Sequence, residues 1–152
     1  MPEQEFTKED HEKFAKGLFN LTWDLLDKTD RTKEDIDKMI NAAHASRYHW
    51  GEIGTPTNIE RGEWQISRVY SVIGRSEPAL YHAKNCLDIC EENSIRDFDI
   101  AFAYEAMARA NTVAKKKAEA KKYLDLANEA GEQIENKEDK DYFLKELQMI
   151  KG

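Results

Sequence analysis

Apolar side chains recur every three or four residues along most of the chain, and this spacing predicts amphipathic helices. The first predicted helix covers Thr7 to Asp27. Its predicted core face carries Phe14, Leu18, Leu21 and Leu25. About seven such runs can be distinguished, and no stretch shows a sustained alternation of apolar and polar residues. The sequence therefore predicts an all-α fold without a sheet.

Turn residues divide these runs into pairs. Thr32, followed three residues later by Asp35, is typical of a helix N-terminus, and Gly74 is typical of a left-handed helix end. Pro78 falls in the first turn of the next helix, where a missing N–H costs nothing. A single domain over residues 1–152 is predicted, with helix pairs at about 7–50, 58–92 and 97–134 and a capping helix at 139–150.

Small residues occupy regular places in the second of these pairs. The order is apolar, small, aromatic, a glycine turn and then small residues: Ile66, Ser67, Tyr70, Gly74, Ala79, Ala83 and Cys86. This order resembles the tetratricopeptide repeat, from which only Ala83 departs in kind. The resemblance implies stacked antiparallel helix pairs in a right-handed superhelix, with the last helix covering an exposed apolar face. The alternative is a generic helical bundle with alanine-rich contacts.

Three longer strings carry a second resemblance. They are AAHASRYHW (42–50), RGEWQISRVYSVIGRSEPALYHAKNCL (61–87) and FDIAFAYEAMARA (98–110). They resemble an uncharacterised family of small bacterial proteins with no assigned activity. The resemblance implies a shared fold and a shared site, and it implies no reaction.

Charge and composition exclude several classes of function. The net charge of −7 argues against nucleic acid as a partner, since phosphate binding needs a positive surface. No run approaches the roughly 20 apolar residues of a membrane helix, which argues against a membrane partner. The acidic start, Met1–Asp10, lacks the pattern of a signal peptide, and Cys86 and Cys90 fit a reducing compartment. The expected location is cytoplasmic.

The segment 41–76 departs from the acidic average, and all of its basic residues are arginines: Arg47, Arg61, Arg68 and Arg75. Arginine is suited to two-pronged recognition of carboxylates. In a tetratricopeptide stack the first helix of each pair lines the ligand groove. Carried onto this chain, those positions are Arg61, Trp64, Arg68, Ser71, Phe102, Glu105, Arg109 and Thr112. They predict a groove for a peptide or partner protein, with an acidic one favoured. The alternative for Glu105 and Arg109 is an ion pair within one helix.

A second hypothesis places a polar cluster in the interior, formed by His44, His49, Glu63 and His82. If His44, Glu63 and His82 converge with Glu105, they would make a pocket for a small molecule or for acid–base chemistry. His82, Cys86 and Cys90 also form a stripe at a spacing of four. A zinc site needs a further ligand, and Cys86 falls where the repeat requires a small core residue, so no metal or cofactor is predicted.

Sequence signatures of enzymes are lacking, including a phosphate loop and the Gly-x-Ser-x-Gly and His-Glu-x-x-His motifs. The favoured function is therefore a non-catalytic binding or scaffold module. One alternative is a small-molecule-binding regulator or an enzyme that uses the polar cluster. The other is a self-associating structural protein that forms a homodimer through exposed aromatic residues such as Trp50 and Trp64.

Overall fold

A computed structural model describes residues 5–150, and every regular element within them is a helix. The bounds are α1 Lys8–Asp27, α2 Lys33–Ile53, α3 Pro56–Val72, α4 Ser76–Glu92, α5 Phe98–Val113, α6 Lys117–Glu132 and α7 Lys137–Gln148. The predicted all-α class and helix number are confirmed. The parts of the predicted domain at residues 1–4 and 151–152 lie outside the described residues. Of the helices described, none is both long and apolar enough to cross a bilayer.

Local sequence explains where the helices begin and end. Thr32 and Asp35 form the predicted capping box at α2, and Gly74 adopts the predicted left-handed conformation with φ of 79°. Thr55 caps α3, which therefore begins at Pro56 rather than at residue 58. Asn136 caps α7 by accepting a hydrogen bond from the amide of Asp139, so α7 starts two residues before the predicted 139.

Consecutive helices pack as hairpins. The pairs are α1 with α2, α3 with α4 and α5 with α6, and neighbouring pairs stack through α2 on α3 and α4 on α5. Short hydroxyl side chains join the helices: Ser46 Oγ donates to the carbonyl of Ala15 at 2.7 Å, and Ser67 Oγ donates to that of Ala79 at 2.8 Å. The structure is thus consistent with the predicted stack of helical hairpins.

The core is concentrated around α5, as its apolar composition predicts, because ten of its sixteen residues are buried. The prediction for α1 is only partly correct. Phe14 is 42% exposed, and the buried positions of α1 are Ala15, Thr22 and Leu25. Because α1 packs mainly on α2, it buries a narrow stripe rather than a broad apolar face.

Gly131 provides a test of the contact between α6 and α7. A Cβ at this position would lie 2.6 Å from Cε2 of Phe143, whereas a Cβ at Gly17 in α1 would meet nothing within 4 Å. We expect Gly131→Ala to lower the free energy of unfolding by about 1–3 kcal/mol, because the ring must move. Gly17→Ala should instead raise it by about 0.5–1 kcal/mol through helix propensity. Urea unfolding of both variants measures the contrast, and equal effects would refute the proposed steric contact.

Candidate functional site: a groove lined by alternate helices

The odd-numbered helices α1, α3, α5 and α7 line a groove on one side of the molecule. It contains two adjoining cavities that share Trp23 and Tyr142. The first, here called the aromatic cavity, has a volume of about 240 Å³ and is lined by Phe19, Trp23, Glu60, Arg61, Trp64, Phe98, Asp99, Phe102 and Tyr142. The second, the polar cavity, has a volume of about 580 Å³ and is lined by Trp23, Leu26, Asp27, Arg68, Val72, Arg109, Tyr142, Glu146 and Met149.

Rings from three helices form the wall of the aromatic cavity. Trp64 lies between Trp23, at a centroid distance of 5.3 Å, and Phe102, at 5.4 Å with an interplanar angle of 77°. Phe98 packs against Phe102 at a centroid distance of 4.7 Å, with the two rings tilted by 56°. Each ring is held by its neighbour in a favourable tilted or edge-to-face arrangement. The cavity is therefore a preformed apolar surface rather than a gap between mobile side chains.

A network of four charged residues forms the base of the polar cavity. Glu105 accepts a hydrogen bond from Arg109 Nε at 3.1 Å and lies 3.7 Å from Arg68 Nη1. Arg68 also donates to Glu146 on α7 at 3.4 Å, and its guanidinium lies over the ring of Trp64 at 5.9 Å. The network contains two cations and two anions. Within residues 5–150, three buried atoms of this network have no hydrogen-bond partner: Arg68 Nη1, Arg109 Nη2 and Glu105 Oε1.

The structure brings most of the predicted groove residues together. Arg61, Trp64 and Phe102 line the aromatic cavity, and Arg68 and Arg109 line the polar cavity. Glu105 lies beneath the two arginines, so the ion pair within α5 is present.

Two residues that were predicted to line the groove, Ser71 and Thr112, do not line either cavity. Ser71 is buried, and the next residue, Val72, lines the polar cavity instead. Thr112 is absent from both linings, and its hydroxyl bonds to the Ala108 carbonyl at 2.8 Å.

Sequence reasoning missed the contributions of the outer helices. Phe19 and Trp23 of α1 and Tyr142 and Glu146 of α7 border the cavities. Each pair is four residues apart and so lies on one helix face. That spacing was a usable signal, but α1 fits the repeat pattern poorly and α7 was predicted only as a cap.

The aromatic cavity has an acidic edge. Arg61 donates to both carboxylate oxygens of Asp99, at 2.7 and 2.9 Å. Beside this ion pair lies Glu60, which is 2% exposed. Burial and the neighbouring Asp99 raise the pKa of Glu60 to about 10. Burial raises the pKa of Asp99, but the hydrogen bonds and charge of Arg61, together with the neighbouring Glu60, outweigh burial and leave the pKa below its usual value.

The polar cluster lies on the α2 and α4 side of α3, away from the groove. Glu63 is bonded to His82 Nδ1 at 3.2 Å, to Asn85 Nδ2 at 2.7 Å and to Arg47 Nε at 3.2 Å. His44 Nε2 is hydrogen-bonded to the hydroxyl of Tyr70 at 2.8 Å. The rings of His44 and His82 meet edge to face at 5.4 Å. His44, Glu63 and His82 therefore lie together, which is the condition that the hypothesis of a polar cluster set for these three residues.

Two other members of the predicted pocket do not join this cluster. Glu105 is committed to Arg68 and Arg109 at the polar cavity, so it does not meet Glu63. His49 faces α1 and is hydrogen-bonded to His11 at 2.8 Å. The angular separation of His44 and His49 on α2 accounts for the split, because five residues turn the helix by about 140°. His44 itself is exposed rather than buried.

Glu63 leads to a prediction about pH. Burial raises its pKa, but the hydrogen bonds from His82 and Asn85 and the charges of His82 and Arg47 outweigh burial and leave the pKa below the usual 4.5. A depressed carboxyl pKa stabilises the fold above pH 4.5, and this stabilisation is lost as the pH falls through the folded-state value.

We therefore expect Glu63→Gln to lower the free energy of unfolding by about 1.5–3 kcal/mol at neutral pH. The difference from the wild type should shrink as the pH falls below 4.5, because protonation then removes the same charge from the wild type. Urea unfolding at several pH values measures it. A difference that stays constant into the acid range would contradict the assignment.

No match to this chain was found among protein-family models, curated proteins or solved structures. The groove and its two cavities therefore carry the functional argument.

Proposed function

We propose that this protein is a non-catalytic binding module that holds a peptide segment of a partner protein in the groove. The proposal includes a tetratricopeptide-like right-handed stack, in which the first helix of each pair faces the ligand. The observation that supports it most is the aromatic cavity, to which α1, α3, α5 and α7 all contribute. A cavity of about 240 Å³ with a ring wall matches one large apolar side chain of a peptide.

The polar cavity supports a preference for an acidic segment. Glu146 comes from the last described helix and places its carboxylate on Arg68 at 3.4 Å. A ligand carboxylate has the same chemistry and would replace Glu146 in this contact. The proposed ligand therefore carries an aromatic or long aliphatic side chain for the aromatic cavity and an Asp or Glu for Arg68 and Arg109.

Selection from a displayed library of short random peptides tests this function. We expect the purified protein to enrich peptides that combine an aromatic side chain with a nearby acid. Trp64→Ala should weaken their binding at least about 30-fold, corresponding to about 2 kcal/mol at an aromatic hot spot. The matched control is Tyr81→Ala, which removes an exposed ring remote from the groove. Enriched peptides that bind the Trp64→Ala variant as tightly as the wild type would refute the proposal.

Glu146→Gln tests the acidic preference separately. This change removes the negative charge of Glu146, which competes with a ligand carboxylate for Arg68. A selected acidic peptide should therefore bind the variant more tightly than the wild type. The amide analogue of that peptide, with Asn or Gln in place of its acid, should show no gain. Equal gains for both peptides would rule out carboxylate replacement and leave only the apolar contact.

The alternatives of the sequence analysis receive less support. The hypothesis of a regulator or enzyme required Glu105 to join His44, Glu63 and His82. Glu105 instead pairs with Arg68 and Arg109. The homodimer reading used Trp50 and Trp64 as exposed rings, whereas Trp64 is packed between Trp23 and Phe102. A cytoplasmic location and the resemblance to the bacterial family remain parts of the proposal.

A further inference from the structure

A second cluster of chemically reactive groups lies behind the groove, between α3 and α4. The Sγ atoms of Cys86 and Cys90 and a carboxylate oxygen of Glu60 all lie within 4.8 Å of one another, and all three residues are buried. His82, which shares the spacing of four with Cys86 and Cys90, does not join them, because its ring is hydrogen-bonded to Glu63. Glu60 takes the place of the missing further ligand.

The distances suit a small tetrahedral cation. Zinc binds thiolate sulfur at about 2.3 Å and carboxylate oxygen at about 2.1 Å, and a tetrahedral angle then separates the two ligand atoms by about 3.6 Å. Cys86 Sγ and Glu60 Oε1 are 3.6 Å apart. Cys86 and Cys90 are one helical turn apart on α4, which brings both sulfur atoms to the same side.

The surroundings of Glu60 leave a ligand oxygen free. Its second oxygen, Oε2, is buried and has no hydrogen-bond partner among residues 5–150. The adjacent Arg61 directs its guanidinium to Asp99. A buried carboxyl oxygen without a partner is costly, and a cation bound to this carboxyl group would offset that cost.

We propose that Cys86, Cys90 and Glu60 bind a thiophilic divalent cation, for which zinc is the best chemical match. Two thiolates and one carboxylate oxygen give three protein ligands, and a water would complete the tetrahedral set, as in zinc sites with an open fourth position. Binding would release three protons to solvent, one from each thiol and one from the Glu60 carboxyl group, whose pKa is raised to about 10. The cation would tie α4 to α3 directly behind the aromatic cavity. Glu60 also lines the aromatic cavity, but cation binding at this site requires no peptide in the groove.

Cobalt provides a direct test, because Co²⁺ occupies zinc sites and reports thiolate ligands by its absorption. The full chain, stripped of metal with a chelator under reducing conditions, is titrated with Co²⁺. We expect saturation at one equivalent, with a thiolate-to-cobalt charge-transfer band and the intense visible bands of tetrahedral cobalt. Added Zn²⁺ should abolish both sets of bands.

Variants locate the ligands. Cys90→Ser and Glu60→Gln should each weaken cobalt binding at least tenfold. His82→Ala should bind cobalt as tightly as the wild type, because His82 is not one of the proposed ligands. Circular dichroism establishes that each variant is folded before titration. Absence of the charge-transfer band in the folded wild type would overturn the proposal, and the 3.6 Å contact would then be a thiol–carboxyl hydrogen bond. Unchanged binding by both ligand variants would overturn it as well.

Discussion

Replacing Glu105 with alanine is expected to lower the free energy of unfolding by about 3–5 kcal/mol. The side chain of Glu105 is 1% exposed and accepts from Arg109 while lying against Arg68, whose own side chain is 11% exposed. Removing the carboxylate takes away the ion-pair partner of Arg109 and leaves Arg68 paired with Glu146, so two largely buried guanidinium groups lose their shared counter-charge. The loss of one partner of a buried ion pair is costly because the remaining charge is poorly solvated.

Thermal and urea unfolding measure this effect, and Asp125→Ala is the matched control. Asp125 also pairs with a cation four residues away, Lys121, but both side chains of that pair are exposed. Such pairs contribute about 0.2–1 kcal/mol. If Glu105→Ala lowered the free energy of unfolding by as little as the control does, the two arginines would be solvated, and the base of the polar cavity would not be a buried ion-pair network.

Phe143→Ala is expected to cost about 3–5 kcal/mol and to release α7 from the groove. Phe143 is 0% exposed and packs edge to face on Phe102 at 4.7 Å. Truncation leaves a cavity under a helix of only twelve residues. Tyr142 precedes Phe143 in sequence, and Glu146 follows it by less than one turn, so both groove contacts depend on its anchorage.

Amide hydrogen exchange distinguishes this local effect from global unfolding. In the variant, the amides of α7 should lose protection more than those of α3 and α5. Tyr142→Ala serves as the control, because its ring is half exposed and its removal should leave α7 in place. Uniform loss of protection across all helices would show that α7 is an integral part of the core rather than a separately anchored helix.

The sequence predicted the fold well where local chemistry decides it. The capping box at Thr32, the glycine turn at Gly74 and the apolar surface of α5 each depend on a few neighbouring residues, and each was confirmed. The start of α7 was wrong because Asn136 can act either as a turn residue or as a cap. Periodicity also misjudged Phe14, since it cannot tell how much of a helix face a neighbour covers.

The site was predicted less completely, because it depends on which elements meet. The repeat pattern predicted positions on α3 and α5, and all of them except Ser71 and Thr112 line the two cavities or, in the case of Glu105, lie directly beneath them. Glu105 could belong to either cluster on charge alone, and only the packing of α3 on α5 placed it with Arg68. The contact between Glu60 and Cys86 joins residues 26 positions apart, so spacing within one helix could not reveal it.

The most direct test of peptide binding in the groove is to map where a selected peptide binds, using amide chemical-shift changes in the isotope-labelled protein. We expect chemical-shift changes concentrated on α1, α3, α5 and α7, with the largest around Trp64 and Arg68 at the junction of the two cavities. Changes confined to α2, α4 and α6, or centred on Glu63 and His82, would contradict binding in the groove and would transfer the function to the opposite side of the molecule.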